Sequence, residues 1–227
     1  MAIAIPITIA AYDSYDTLTA AVPDYLDAQI DITQVQGWVA LVEKEINRRL
    51  ALKPVRPQMT RLPLTLDAEY VTIPYDFMKS VSFAYIKDTE RRYVRHVDYL
   101  GIDEDSGIPQ EWLFETTVDY EGAPEVFAVI DGQARLYPVP DQTYYGNLLY
   151  YATLPPISEA NQTNWFLQAH TDVYLYGLLF HANAFLPDRE KAAEWFQLFD
   201  SRLNQVLSAY PDPPIQRKLR SDLVFMR

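Results

Sequence analysis

The sequence predicts an α+β chain: a helical bundle formed by N- and C-terminal helices, an inserted antiparallel β-rich domain, and an extended C-terminal tail. Three observations predict it. Apolar residues recur at steps of three and four near both ends of the chain, the mark of amphipathic helices. Between them, short runs rich in Val, Tyr, Phe and Thr are broken by Pro, Gly and Asp, the punctuation of strands and turns. Of the 227 residues, 49% are apolar and 14% aromatic, enough to bury a core and to exclude disorder of the whole chain. The implied division is an N-terminal arm over 1–13, a helical domain from 14–57 and 158–210, an inserted β-rich domain over 58–157, and a tail over 211–227.

Ser14 is placed to cap a first helix carrying Leu18, Val22 and Leu26, and Pro23 is expected to kink or restart it. Asp31 with Gln34 resembles a capping box before a second helix. There Val35, Trp38, Val39, Val42, Ile46 and Leu50 form one apolar face, with Glu45 and Arg49 four apart on the exposed side, until Pro54 and Pro57 stop it. In the β-rich region the clearest unit is Glu125–Ile130, then Asp131-Gly132, then Gln133–Tyr137, because a two-residue Asp-Gly loop suits the type I′ turn of a hairpin. Asn147–Thr153 supplies the next strand. Tyr70–Ile73, Val81–Lys87 and Leu113–Val118 are shorter strands, with a helical turn over Pro74–Lys79 and loops at 101–109 and 119–124.

From Asn164 to Leu186 apolar residues surround a helix axis, so this helix is buried or sits between subunits. Trp165, Phe166, Tyr174, Tyr176 and Phe180 are its candidate core or inter-subunit residues. Pro187 and Asp188 mark a break. A last helix follows with a stripe of Ala192, Trp195, Phe196, Phe199, Leu203, Val206, Leu207 and Tyr210, stopped by Pro211, Pro213 and Pro214.

Composition narrows the chemistry. There is no cysteine, which removes disulfides, thiol nucleophiles and Cys-based zinc sites and fits a protein folded in a reducing cytoplasm. Met1–Ala11 is apolar but lacks Lys and Arg and is interrupted by Pro6, unlike a secretory signal. The most apolar run, Val173–Phe180, falls far short of the roughly 20 residues of a membrane span, so a soluble chain made in the cytoplasm is expected. The seven glycines form no nucleotide-binding loop, and no GxSxG elbow occurs. His170 and His181 lie on nearly one face of a continuous helix but lack the spacing of a metal-ligand pair, so with His96 they read as packed core or interface histidines. Asp103, Glu104 and Asp105 read as a solvated acidic loop. No catalytic, metal or cofactor residue is therefore assigned, and the chain is not expected to be an enzyme.

The 17 tyrosines fit a core, a sugar-stacking platform or a protein interface. Tyr144-Tyr145 and Tyr150-Tyr151 place one ring on each face of a strand, which favours contact with neighbours. Net charge is −12, but the tail from Pro211 to Arg227 carries Arg217, Lys218, Arg220 and Arg227 against Asp212 and Asp222. A basic tail on an acidic body seeks an acidic surface, while the body repels nucleic acid.

Several strings, in order, resemble the head-to-tail adaptor, or connector, proteins of tailed bacteriophages, particularly short-tailed ones. Val35-Gln36-Gly37-Trp38, Glu43 and Ile46-Asn47-Arg48-Arg49-Leu50 look like the family's early helix. Ile73-Pro74-Tyr75-Asp76-Phe77-Met78 is similar to its "LPxDFL" element, and Arg135-Leu136-Tyr137-Pro138-Val139-Pro140 to its "LxLxPxP" strand. Leu149-Tyr150-Tyr151 with Leu154-Pro155-Pro156-Ile157-Ser158 resembles the "YYxxxPxLS" exit strand. Asn164-Trp165-Phe166-Leu167, His170 and Asp172-Val173-Tyr174-Leu175-Tyr176-Gly177 resemble the "NWLLxxxPDxYLYGxL" helix, with Thr171 where proline is usual. Coverage is about 15–210.

The resemblance implies a structural virion protein of the phage neck, repeated in a ring of commonly twelve copies between portal protein and tail, nozzle or fibre proteins. It implies double-stranded DNA passing without specific binding, no membrane and no cofactor. Asp103, Glu104 and Asp105 then become candidates to face the DNA channel. Ile215, Arg217, Lys218, Leu219, Arg220, Leu223 and Phe225 become candidates to dock the tail on the portal or a neighbour. Alternatives of other classes are a tail-tube or tail-completion subunit and a carbohydrate-binding tail protein.

Overall fold

The computed structural model describes residues 12–26, 30–97, 120–186 and 188–210. They form an α+β structure of five α-helices and a large, mostly antiparallel sheet. By contacts they divide into two compact units, one from the chain up to Pro57 together with Leu154–Pro211, the other within Gln58–Thr153.

The first unit is helical. α1 (Tyr15–Leu26) starts at Ser14, whose Oγ accepts from the Thr17 amide while Thr17 Oγ1 accepts from the Ser14 amide. The helix continues through Pro23 without restarting; only three residues remain beyond it, so the missing donor falls in the last turn. α2 (Ile32–Leu52) is capped by Asp31 Oδ1, which accepts from Thr33 N–H at 2.9 Å. The whole predicted stripe from Val35 to Leu50 is buried.

The helix expected over 164–186 is two helices. α3 (Trp165–Ala169) ends at His170, whose φ/ψ of −142°/53° is not helical, and α4 (Thr171–Phe185) begins at the next residue. Thr171 is thus the first residue of a helix, a position that suits proline as well, and its hydroxyl donates back to Leu167 O at 2.9 Å. α4 is buried by this chain's own helices: it packs against α1, α2 and α5 (Arg189–Ala209). No neighbouring copy is needed to cover it. Gly177 permits the approach, since a Cβ there would lie 2.8 Å from Val42 Cγ2 and 3.1 Å from Phe199 Cε2. Leu154 and Ile157, grouped by sequence with the β-rich region, belong to this helical core.

The second unit is a sheet. Its strands are β1 (Met59–Leu66), β2 (Tyr70–Thr72), β3 (Phe77–Lys87), β4 (Glu90–His96), β6 (Val126–Ile130), β7 (Gln133–Tyr137) and β9 (Tyr144–Ala152), in the order β1-β9-β3-β4-β6-β7-β2. All neighbours are antiparallel except β4 and β6. β5 (Glu121–Gly122) and β8 (Val139–Pro140) form a separate parallel pair, so part of the predicted 119–124 loop is strand. The Asp131-Gly132 hairpin is present, both residues at positive φ (48° and 73°). A second such turn, Asp88-Thr89 (φ 49° and 74°), joins β3 to β4. Residues 77–79, predicted as part of a helical turn, open β3 instead; the turn itself is short, closed by Phe77 N–H to Pro74 O.

Leu66, Phe83, Tyr85, Phe127, Leu136, Tyr144 and Leu148 build the sheet core, with Phe83 and Phe127 rings 5.2 Å apart edge to face. Arg135 is buried on β7 with Nε on Glu69 Oε1 at 2.6 Å, which compensates a charge that burial alone would disfavour. The expectation of one tyrosine per strand face holds at Tyr144, buried, and Tyr145, exposed. At Tyr150 and Tyr151 the rings also fall on opposite faces of the strand, and both are buried.

Candidate interface residues and a buried polar node

In the helical unit a polar node sits where apolar periodicity would place a hydrocarbon. Glu43 falls on the buried side of α2, next to Val42 and one turn from Ile46, and is only 6% exposed. Its Oε1 accepts from Ile157 N–H at 2.9 Å and from the Tyr174 hydroxyl at 3.1 Å. The Tyr174 oxygen in turn accepts from Asn164 Nδ2 at 2.9 Å, and the same amide donates to Pro155 O at 2.9 Å. Asn164 Oδ1 completes the chain by capping α3, accepting from the amides of Phe166 (3.1 Å) and Leu167 (2.8 Å). Four segments are thereby tied together: α2, the 154–164 connector, α3 and α4.

Burial pushes the Glu43 carboxyl above the usual carboxylate range, opposed by its bonds from Ile157 and Tyr174. Burial, with the Glu43 charge adding to it, drives the Tyr174 phenol far up. A carboxyl held partly toward its neutral form can serve acid–base chemistry, yet here its bonded oxygen holds the chain's own donors. What the arrangement does is fix the connector.

Asn47 acts the same way one turn on, its Oδ1 accepting from Leu154 N–H at 2.7 Å. Arg49 reaches from α2 to Asp200 (2.6 Å) and Asn204 (3.2 Å) on α5 while keeping Glu45 at 2.9 Å. In the sheet unit Asp76 plays the matching part. It pairs with the Tyr150 hydroxyl at 3.1 Å, and its carbonyl accepts from Thr153 N–H at 2.8 Å. Burial first, then the Asp76 carboxylate, push the Tyr150 phenol up to about 12.

Of the helix residues singled out by sequence, Phe166 and Tyr174 are core. Trp165, Tyr176 and Phe180 are half-buried, with Tyr176 against Trp195 (ring centroids 5.8 Å) and Phe180 against Phe196 (5.2 Å). His170 bonds the Tyr210 hydroxyl through Nε2 at 3.0 Å, and His181 lies against Phe180; burial lowers both imidazoles. The break at His170 removes the continuous helix on which the two histidines shared a face. Among the described residues no cluster of three or more His, Asp or Glu stands ready to hold a metal ion, and no helix is long and apolar enough to cross a membrane. Asp103, Glu104, Asp105, the strand expected over Leu113–Val118, and the tail residues Ile215, Arg217, Lys218, Leu219, Arg220, Leu223 and Phe225 lie outside the described residues.

One surface was not singled out from the sequence. The sheet core lies on one side of β1, β9, β3 and β4. The other side is exposed around Tyr93 and Tyr145, and the pairing register puts Arg61 beside Leu149 and Ser82, then Ala84 beside Asn147 and Tyr93, then Ile86 beside Arg91. With Tyr145 these side chains line one shallow concavity. The signal was the period-two run Arg91, Tyr93, Arg95, to which the sequence reading assigned no element.

A family model described as SU10 adaptor protein matches residues 13–218. No curated protein matches the chain.

Proposed function

Because the chain belongs to the SU10 adaptor protein family, a family of phage adaptors, we propose that it is the head-to-tail adaptor of a short-tailed particle. In this reading copies form a ring, commonly of twelve, that joins the portal to tail, nozzle or fibre proteins around the DNA channel and catalyses nothing. Helices from both ends of the chain make one scaffold bundle, and the β-rich region is inserted into it. Asp103, Glu104 and Asp105 face the channel, where acidic charge lets DNA slide without sticking. The basic tail from Pro211 to Arg227 docks on the portal or on a neighbour.

The observation that carries this reading is where the family-like strings meet. Glu43, Asn164 and Tyr174 come from strings more than a hundred residues apart and converge in one hydrogen-bonded node. Asp76 and Tyr150, 74 residues apart, also meet in the sheet. Strings that hold a rigid frame suit a part that carries load between other proteins.

The test is assembly. Full-length protein mixed with purified portal rings should add a layer visible by electron microscopy, and a chain lacking 211–227 should stay folded but leave the portal bare. Portal that remains undecorated by the full-length chain would sink the reading.

A further inference from the structure

The open sheet face differs from the rest of this acidic chain. Register puts Arg61, Lys79, Arg91 and Arg95 on it, and no carboxylate shares that face among the described residues of β1, β3, β4 and β9. None of the four has an ion-pair partner among the described residues, whereas Arg49, Arg92, Arg135 and Arg202 each have one. Between the cations stand Tyr93 (61% exposed), Tyr145 (73%) and Ile86 (65%). Arginine and tyrosine around an apolar middle, with Asp and Glu excluded, is the composition of a protein-binding hot spot.

Charge complementarity selects the occupant. Apart from these four, the chain has 15 basic residues against its 31 acidic ones, so the surface such a face meets most readily is another copy of the same chain. The complement is concentrated on α1. Asp16 and Asp24 on α1, with Asp13 two residues before it, are exposed and have no ion pair among the described residues, and no Lys or Arg accompanies them on that helix. Tyr25, 51% exposed, adds an apolar contact beside them. Duplex DNA fits less well: it offers phosphates to the arginines but no apolar surface for Ile86 and the two tyrosines.

We propose that the open sheet face, through Arg61, Arg91, Arg95, Tyr93 and Tyr145, docks the acidic side of α1 of a second copy. This contact is heterologous, the face of one copy meeting a different surface of the next, so it propagates into a closed ring or a filament rather than stopping at a dimer. It rests on the adaptor reading only for its biological setting, since it names which surfaces join the copies.

Sedimentation velocity of the full chain at low and high salt tests it. Wild type should self-associate at low salt and dissociate at high salt. The triple variant Arg61→Glu, Arg91→Glu, Arg95→Glu should weaken association at least about tenfold, as should Asp13→Lys, Asp16→Lys, Asp24→Lys. Both triples in one chain restore the net charge of −12 and should restore association. Tyr145→Ala, which changes no charge, should weaken it too, and circular dichroism checks that each variant is folded. Wild type monomeric at every concentration, a sheet-face triple that associates normally, or a combined variant that does not recover would each overturn the contact. So would wild-type binding to a labelled duplex that the sheet-face triple abolishes, which would reassign the face to nucleic acid. A sheet-face triple that still decorates portal rings as a full layer overturns this contact while leaving the adaptor function standing.

Discussion

The two units solve opposite problems with polar side chains. α4 is enclosed by α1, α2 and α5, so any polar group near it must find its partner inside. Glu43, Asn164 and Tyr174 do so with four short hydrogen bonds among themselves and the connector. The sheet core lies on one side of β1, β3, β4 and β9, so Arg61, Arg91, Arg95, Tyr93 and Tyr145 remain on the other, exposed and without ion pairs among the described residues. Buried polar groups fix a geometry because leaving one unmatched is costly; exposed ones cost the fold little and are available to a partner. The helical unit is built as a frame, the sheet as a surface.

The sharpest way to break this contrast is Asn164→Ala. It removes the α3 cap and orphans both Pro155 O and a hydrogen bond of Tyr174, so the helical unit should lose about 3 kcal/mol in chemical denaturation followed by tryptophan fluorescence. A loss below about 1 kcal/mol would mean that the node is ornament and apolar packing alone holds the unit.

A smaller effect of opposite sign belongs to the sheet. Thr89 is β-branched yet sits at φ 74°, a conformation that favours glycine, so Thr89→Gly should stabilise the β3–β4 hairpin by about 1 kcal/mol. No change in the denaturation midpoint would show that the turn is not strained.

The smallest effect is a pH dependence. The folded chain raises the Glu43 carboxyl, so the fold favours its protonated form. The stability gained this way is complete below the ordinary glutamate range and is lost as pH rises through the raised value. Glu43→Gln keeps an acceptor for Ile157 and Tyr174 without the buried charge. Relative to wild type, its stability should therefore improve from acidic toward neutral pH. An unchanged difference between the two across that range would show that Glu43 carries no such linkage.

Local chemistry explains which elements were legible. The α2 stripe and the Asp131-Gly132 hairpin rest on short-range rules, period and turn type, and both are present. β1 was hidden by Pro63, which a strand tolerates here because β1 is the sheet edge. β4 was hidden because Arg91, Arg92, Tyr93 and Arg95 look like solvent-facing loop, with Val94 as its one buried position within the strand. Its turn, Asp88-Thr89, lacks the glycine that advertises Asp131-Gly132. The break at His170 was masked by apolar residues continuing on both sides of it.

The sequence by itself determined the α+β class, the helical ends and the family, because period, turn residues and ordered strings are local properties of the chain. Only the tertiary structure decided that α4 is covered from within, that Glu43, Asn164 and Tyr174 meet, and that four cations from three strands share one open face. Those facts depend on which distant segments become neighbours, and strand register and helix packing set that through contacts no single stretch of sequence contains.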